Sequence, residues 1–118
     1  VSNLKIHTEK LFDCGTGHIT MGDMEKLQHD AVAHWPDDAG PTSAQGDDLT
    51  VYEFREGFFV YAAPSDKDMR ADILQKAKRR GYSAAFIQLL TIAQENDCKF
   101  VALDRDGPTY KELPTFNW

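Results

Sequence analysis

The chain has 118 residues, a formal charge of −6, 42% hydrophobic residues and 27% charged residues. That is one domain's length of chain, too apolar for wholesale disorder, and it has no apolar run near the ~20 residues that span a bilayer. The acidity is uneven: residues 1–60 hold 4 basic and 11 acidic side chains, residues 61–118 hold 9 and 8.

A net negative surface repels phosphate backbones, so direct nucleic-acid binding is not expected. Complementary charge instead favours encounter with a protein partner. The first ten residues, VSNLKIHTEK, contain no apolar leader core, so no export signal is expected and a cytoplasmic location follows. Cys14 and Cys98 then read as reduced thiols, far apart and outside any CxxC pair. No membrane segment, metal or cofactor is called for, and oligomeric state is not legible.

In chain order, partial alternation over residues 4–14 predicts a strand, ended by Gly15-Thr16-Gly17. Thr20 is placed as a helix N-cap with Asp23 in a capping-box position. Met24, Leu27, Ala31, Val32 and Trp35 follow at helical spacing, which predicts a helix over 21–34 ended by Pro36. Residues 36–48, PDDAGPTSAQGDD, read as a mobile acidic loop inside a single domain covering 1–118. Residues 49–55 and 58–63 predict a hairpin turning at Glu56-Gly57, and the apolar second strand reads as central in its sheet.

After Pro64, Ser65 is the expected N-cap of a helix that carries Met69, Ile73, Leu74 and Ala77 on one stripe. Gly81 fits the position just past its end. Ser83 caps a further helix, 84–96, apolar around most of its circumference and so the most buried of the three. Residues 98–103 read as a strand, followed by an Asp-rich turn and an aromatic tail. The predicted fold is α+β: a two-layer sandwich of about four mainly antiparallel strands and about three helices.

Several constellations invite chemistry. Phe100 to Gly107 resembles the first motif of haloacid-dehalogenase-like phosphatases, in which two carboxylates on one loop share a divalent cation and a phosphoryl group. Those enzymes use further strands and motifs beyond this loop, whereas 11 residues follow Gly107. An Asp-Gly turn bonding its own backbone is the plainer reading.

Gly15, Gly17, His18 and Thr20 lie where free amides at a helix start can bind an anion. The Gly-Lys-Ser/Thr ending of a P-loop is missing, and a tight strand-to-helix turn accounts for the same residues. Asp104, Asp106, His18, Gly15, Gly17 and Thr20 together make the candidate chemical site. His29 and His34 are five apart and do not form a metal clamp on one helix face. Lys76, Lys78, Arg79 and Arg80 read as a solvated helix end that complements the dipole, with a phosphate contact as the alternative.

The tail places Tyr110, Leu113, Phe116 and Trp118 within its last nine residues. Such a tail either packs back over the sheet or anchors a partner.

Four segments occur in order: Thr16-Gly17-His18-Ile19-Thr20, Gly57-Phe58-Phe59-Val60-Tyr61, Leu103-Asp104-Arg105-Asp106-Gly107-Pro108, and Leu113-Pro114-Thr115-Phe116-Asn117-Trp118. They resemble the signature of an uncharacterised family of small bacterial proteins carried on plasmids, phages and integrated elements. The resemblance implies a cytoplasmic accessory protein of mobile-element origin and brings no activity with it.

Three functions are therefore in play. The preferred one is a non-enzymatic protein-binding module whose contact surfaces are Tyr110, Phe116 and Trp118 in the tail and Asp37, Asp38, Asp47 and Asp48 in the acidic loop. The second is a metal-assisted hydrolase or phosphate binder built on Asp104 and Asp106. The third is an acidic DNA mimic that blocks a host defence protein. The balance leans away from an enzyme.

Overall fold

A computed structural model describes residues 4–33 and 49–118. The elements are strand β1 (Lys10–Gly15), a 3-10 turn (Thr16–His18), helix α1 (Met21–Ala33), strands β2 (Val51–Phe54) and β3 (Gly57–Tyr61), helices α2 (Lys67–Arg79) and α3 (Ala84–Glu95), and strand β4 (Cys98–Asp104). The four strands form one sheet in the order β1-β4-β3-β2. β1 runs parallel to β4, while β4–β3 and β3–β2 are antiparallel. The fold is α+β, and β3 is central between β4 and β2.

Register assigns the faces. Val101 and Leu103 sit opposite Val60 and Phe58 on one side and Phe12 and Cys14 on the other. These side chains share a face, and all are buried except the half-buried Phe12. They form one cluster with Leu27 and Ala31 of α1, Ala77 of α2, and Phe86, Leu89, Leu90 and Ala93 of α3. α3 supplies most of the helical core, as its apolar circumference requires, whereas α2 fully buries only Ala77. Removing the Phe86 side chain would cost about 3–5 kcal/mol on this basis.

The opposite face carries Phe59, Tyr61 and Phe100, which shield one another and their neighbours. Phe54 and Phe59 stack at 4.5 Å, and Tyr61 tilts against Phe100 at 5.7 Å. This is why β3 is apolar almost throughout while alternating between buried and half-buried positions.

Helix ends follow side-chain chemistry. Thr20 Oγ1 accepts from the Asp23 N–H at 3.0 Å, and the Asp23 carboxylate accepts from the Thr20 N–H at 3.0 Å, a closed capping box despite the short acid. The same buried carboxylate accepts from the Ser83 N–H and hydroxyl, at 2.8 and 2.6 Å. Ser83 Oγ in turn accepts from the Phe86 N–H, so one acid ties together the starts of α1 and α3. At the end of α2, Gly81 adopts φ +85, and Gly81 and Tyr82 donate back to Lys78 and Ala77 in a Schellman arrangement.

Three expectations need correction. The first strand begins at Lys10 rather than residue 4. Residues 4–9 are exposed, with Leu4 at 69% and Ile6 at 72%, and the β4 partner reaches back only to Cys98 opposite Lys10.

The N-cap of α2 is Asp66 rather than Ser65, because its carboxylate reaches the Asp68 N–H at 2.9 Å. The hairpin turns at Arg55-Glu56, one residue earlier than expected, and Gly57 opens β3. Gly57 serves close packing rather than the turn: a Cβ there would lie 1.7 Å from the Leu103 carbonyl oxygen. The acidic loop 36–48 lies outside the described residues.

Candidate functional site

The sheet ends where β1, β4 and the hairpin meet, and the chain's glycines make that meeting close. Gly15 pairs with Asp104 across β1–β4, and Gly57 pairs with Asp104 across β3–β4. A Cβ on Gly107 would sit 2.7 Å from the Cys14 carbonyl oxygen, so the turn after β4 lies directly against the end of β1. The Gly15 N–H donates to Pro108 O at 2.9 Å. Residues 13–17 and 104–108 are thus adjacent in space.

Within that junction the candidate residues have specific partners. Asp104 accepts the Asp106 N–H at 2.8 Å through its side chain and the Gly107 N–H at 2.9 Å through its backbone carbonyl. That is an Asx-type turn bonding its own backbone. Thr20 is occupied by the capping box, and a Cβ on Gly17 would meet nothing within 4 Å.

His18 is 1% exposed and points to the tail. Its Nε2 accepts from the Tyr110 N–H at 2.8 Å, and its Nδ1 lies 2.7 Å from Pro114 O. A backbone amide can only donate, so Nε2 presents its lone pair and Nδ1–H donates to the Pro114 carbonyl. Both ring nitrogens are thereby spent on holding the chain. Among the described residues no group of three or more His, Cys, Asp or Glu side chains is placed to hold a metal ion. Asp37, Asp38, Asp47 and Asp48 lie outside the described residues.

The tail is stapled along this seam. Tyr110 donates its hydroxyl to Asp13 O at 2.7 Å, the Phe116 N–H donates to Gly17 O at 2.8 Å, and the Trp118 indole N–H donates to Ile19 O at 3.0 Å. Tyr110 and Leu113 pack against the core, and Tyr110 lies 5.6 Å from Phe12 between ring centroids. Yet Phe116 is 36% exposed and Trp118 50%. The backbone is fixed while two aromatic rings keep a free face.

Those rings wall a cleft of about 450 Å³, a size within the ordinary range for ligand sites. α1 contributes Met24 and Gln28 to it, the 3-10 turn contributes Thr16 and Gly17, and the hairpin contributes Phe54 and Phe58. Four charged side chains also line it: Glu53, Arg55 and Glu56 from the hairpin, and Arg105 from the turn after β4. The Arg105 N–H donates to Glu56 O at 2.9 Å, which fixes the two turns against each other.

A family model described as the C-terminal domain of a family of unknown function, DUF5983, matches residues 11–118. The chain belongs to the DUF5983 family. No curated protein and no solved structure matches it. The DUF5983 match covers every residue of the cleft and of the tail seam, so both belong to the family's domain.

Electrostatics separate the seam from the cleft. Burial, helped by the Asp13 charge, pushes the Cys14 thiol from its ordinary 9.0 up to about 12, which leaves it inert as a nucleophile near neutral pH. Burial and the hydroxyl bond to Asp30 push Tyr82 well above the usual phenol range. Tyr110 is raised as well, first by burial. These are groups held in their neutral forms by packing.

Sequence reading missed the cleft, because its walls come from five separate stretches of chain. It also missed Asp30, which is fully buried and accepts from Tyr82 at 2.7 Å and from Arg80. A signal was present. Asp23, Leu27 and Asp30 recur at the i, i+4, i+7 spacing of one helix face, so two acids stood on an apolar stripe. Of the basic cluster at the end of α2, Arg80 is committed to Asp30, and Lys76 lies 3.5 Å from Asp72.

Proposed function

We propose that this DUF5983 domain is a non-enzymatic protein-binding module, of mobile-element origin and cytoplasmic, that takes a short segment of its partner in the hairpin-tip cleft. The observation carrying this reading is the pinned tail. Backbone and indole hydrogen bonds fix Phe116 and Trp118, while their rings stay half-exposed at the cleft wall. Rigid aromatic anchors lose little side-chain entropy on binding, which is why such residues concentrate at interface hot spots.

The hydrolase alternative asks more of the same residues. It needs His18, whose two nitrogens hold the tail, and Asp104, whose carboxylate caps its own turn. The binding reading leaves all of these bonds intact.

A random heptapeptide display library, selected on the 118-residue chain, tests the reading. Peptides should enrich on the wild-type chain and fail to enrich on Trp118→Ala, with circular dichroism confirming that the variant is folded. Equal enrichment on both chains would move the contact surface away from the cleft.

A further inference from the structure

Four charges line the cleft, and none of them is spent. Among the described residues, Glu53, Arg55, Glu56 and Arg105 make no ion pair and no side-chain hydrogen bond. Elsewhere the chain does pair its charges. Arg70 bonds Asp97 at 2.8 Å, and Arg80 bonds the buried Asp30. In the cleft, two cations and two anions stand on the β2–β3 hairpin and the turn after β4 and leave one another alone.

The two signs set different requirements. An arginine pair holds a carboxylate with directional, charge-assisted bonds. Glu53 and Glu56 penalise a second anion at the same place, and Arg55 and Arg105 penalise a uniformly basic segment. Repulsion of this kind selects as much by what it rejects as by what it attracts. A polyphosphate chain fails on the first count, since it brings a row of anions where two arginines can neutralise one and Glu53 and Glu56 repel the rest. The apolar wall of Phe116, Trp118 and Met24 requires a third feature, a hydrophobic side chain between the charges.

We infer that the cleft selects a peptide segment of mixed charge: an apolar anchor against Phe116 and Trp118, an acidic side chain on Arg55 and Arg105, and a basic side chain facing Glu53 and Glu56. This inference rests on the binding-module reading and names the partner chemistry that the same site accepts. The four side chains are exposed or half-exposed, so exchanging them does not disturb the core.

The test reads the sequences that the heptapeptide library yields on the wild-type chain. Enriched peptides should carry Trp, Phe, Leu or Met with one acidic and one basic residue within two positions of it. A synthetic copy of the best of them should bind Arg55→Glu/Arg105→Glu at least tenfold more weakly. The same peptide with its basic residue replaced by Gln should lose affinity for the wild-type chain and lose none for Glu53→Gln/Glu56→Gln.

Enriched peptides that are uniformly acidic, uniformly basic or uncharged would overturn the inference and leave the module reading standing. No enrichment above bare support overturns both. Competition of the selected peptide by a ten-nucleotide single-stranded oligonucleotide would also overturn the inference, in favour of a nucleic-acid site.

Discussion

The helix layer and the cleft treat charge in opposite ways. In the helix layer, Asp23 accepts three hydrogen bonds and joins the starts of two helices. Asp30 takes Tyr82 and Arg80, and Arg70 reaches Pro64 O, Gln94 O and Asp97 at once. In the cleft, four charges have no such partners among the described residues. The difference teaches where stability ends and recognition begins. A buried charge must be matched inside the fold, whereas an unmatched charge at a cleft mouth is hydrated at little cost and is free to meet a ligand.

Substitutions can break that division, and the largest effect belongs to the cleft's packed floor. Gly57→Ala should lose about 4 kcal/mol or more, since its methyl group would overlap the Leu103 carbonyl of the neighbouring strand. Gly17→Ala, facing open space, should stay within about 0.5 kcal/mol. Urea unfolding of the pair separates backbone packing from mere glycine content.

Asp30→Ala comes next. It deprives Arg80 and Tyr82 of a buried acceptor and should cost about 3 kcal/mol by urea unfolding. His18→Phe should cost about 2 kcal/mol, because it keeps the bulk and loses the bonds to Tyr110 and Pro114. Limited proteolysis should then cut first within residues 111–118. Cuts spread evenly along the chain would mean that the imidazole supports the whole fold.

Alkali should act through the helix layer and the seam together. Cys14 and Tyr82 ionise at lower pH in the unfolded chain than in the folded one, so the folded state holds more protons across that interval. Stability should therefore be full below about pH 9, the ordinary thiol value, and fall as pH rises toward 12. Urea midpoints measured from pH 8 to 11 check the slope, and Cys14→Ala should flatten part of it. The smallest effect sharpens the comparison. Arg55→Gln and Arg105→Gln should change stability by no more than about 0.5 kcal/mol while weakening peptide binding.

Local chemistry was legible in the sequence wherever side chain and backbone meet within a few residues. Thr20 with Asp23, Ser83 ahead of α3, and Gly81 after α2 all take the roles that their spacing predicts. Ser65 and Asp66 were harder to separate, because either side chain suits a cap and only the reach to the Asp68 N–H decides between them. The alternation of Leu4 and Ile6 is that of a strand, but among the described residues no strand pairs with it.

The tail's aromatic density predicts either packing back or exposure, and its residues divide between the two. Tyr110 and Leu113 pack inward, and Trp118 keeps an open face. The partners of His18 were invisible for a physical reason. They are a backbone amide and a backbone carbonyl, which every non-proline residue carries, so no residue type marks them.

The two bonds at His18 also give it a use at the bench. One imidazole nitrogen is protonated and the other bare, and only the clasped tail enforces that asymmetry in a buried ring. Isotope labelling of the histidines would therefore yield an internal gauge: two widely separated nitrogen resonances while the chain end is seated, merging toward an average once it lifts away.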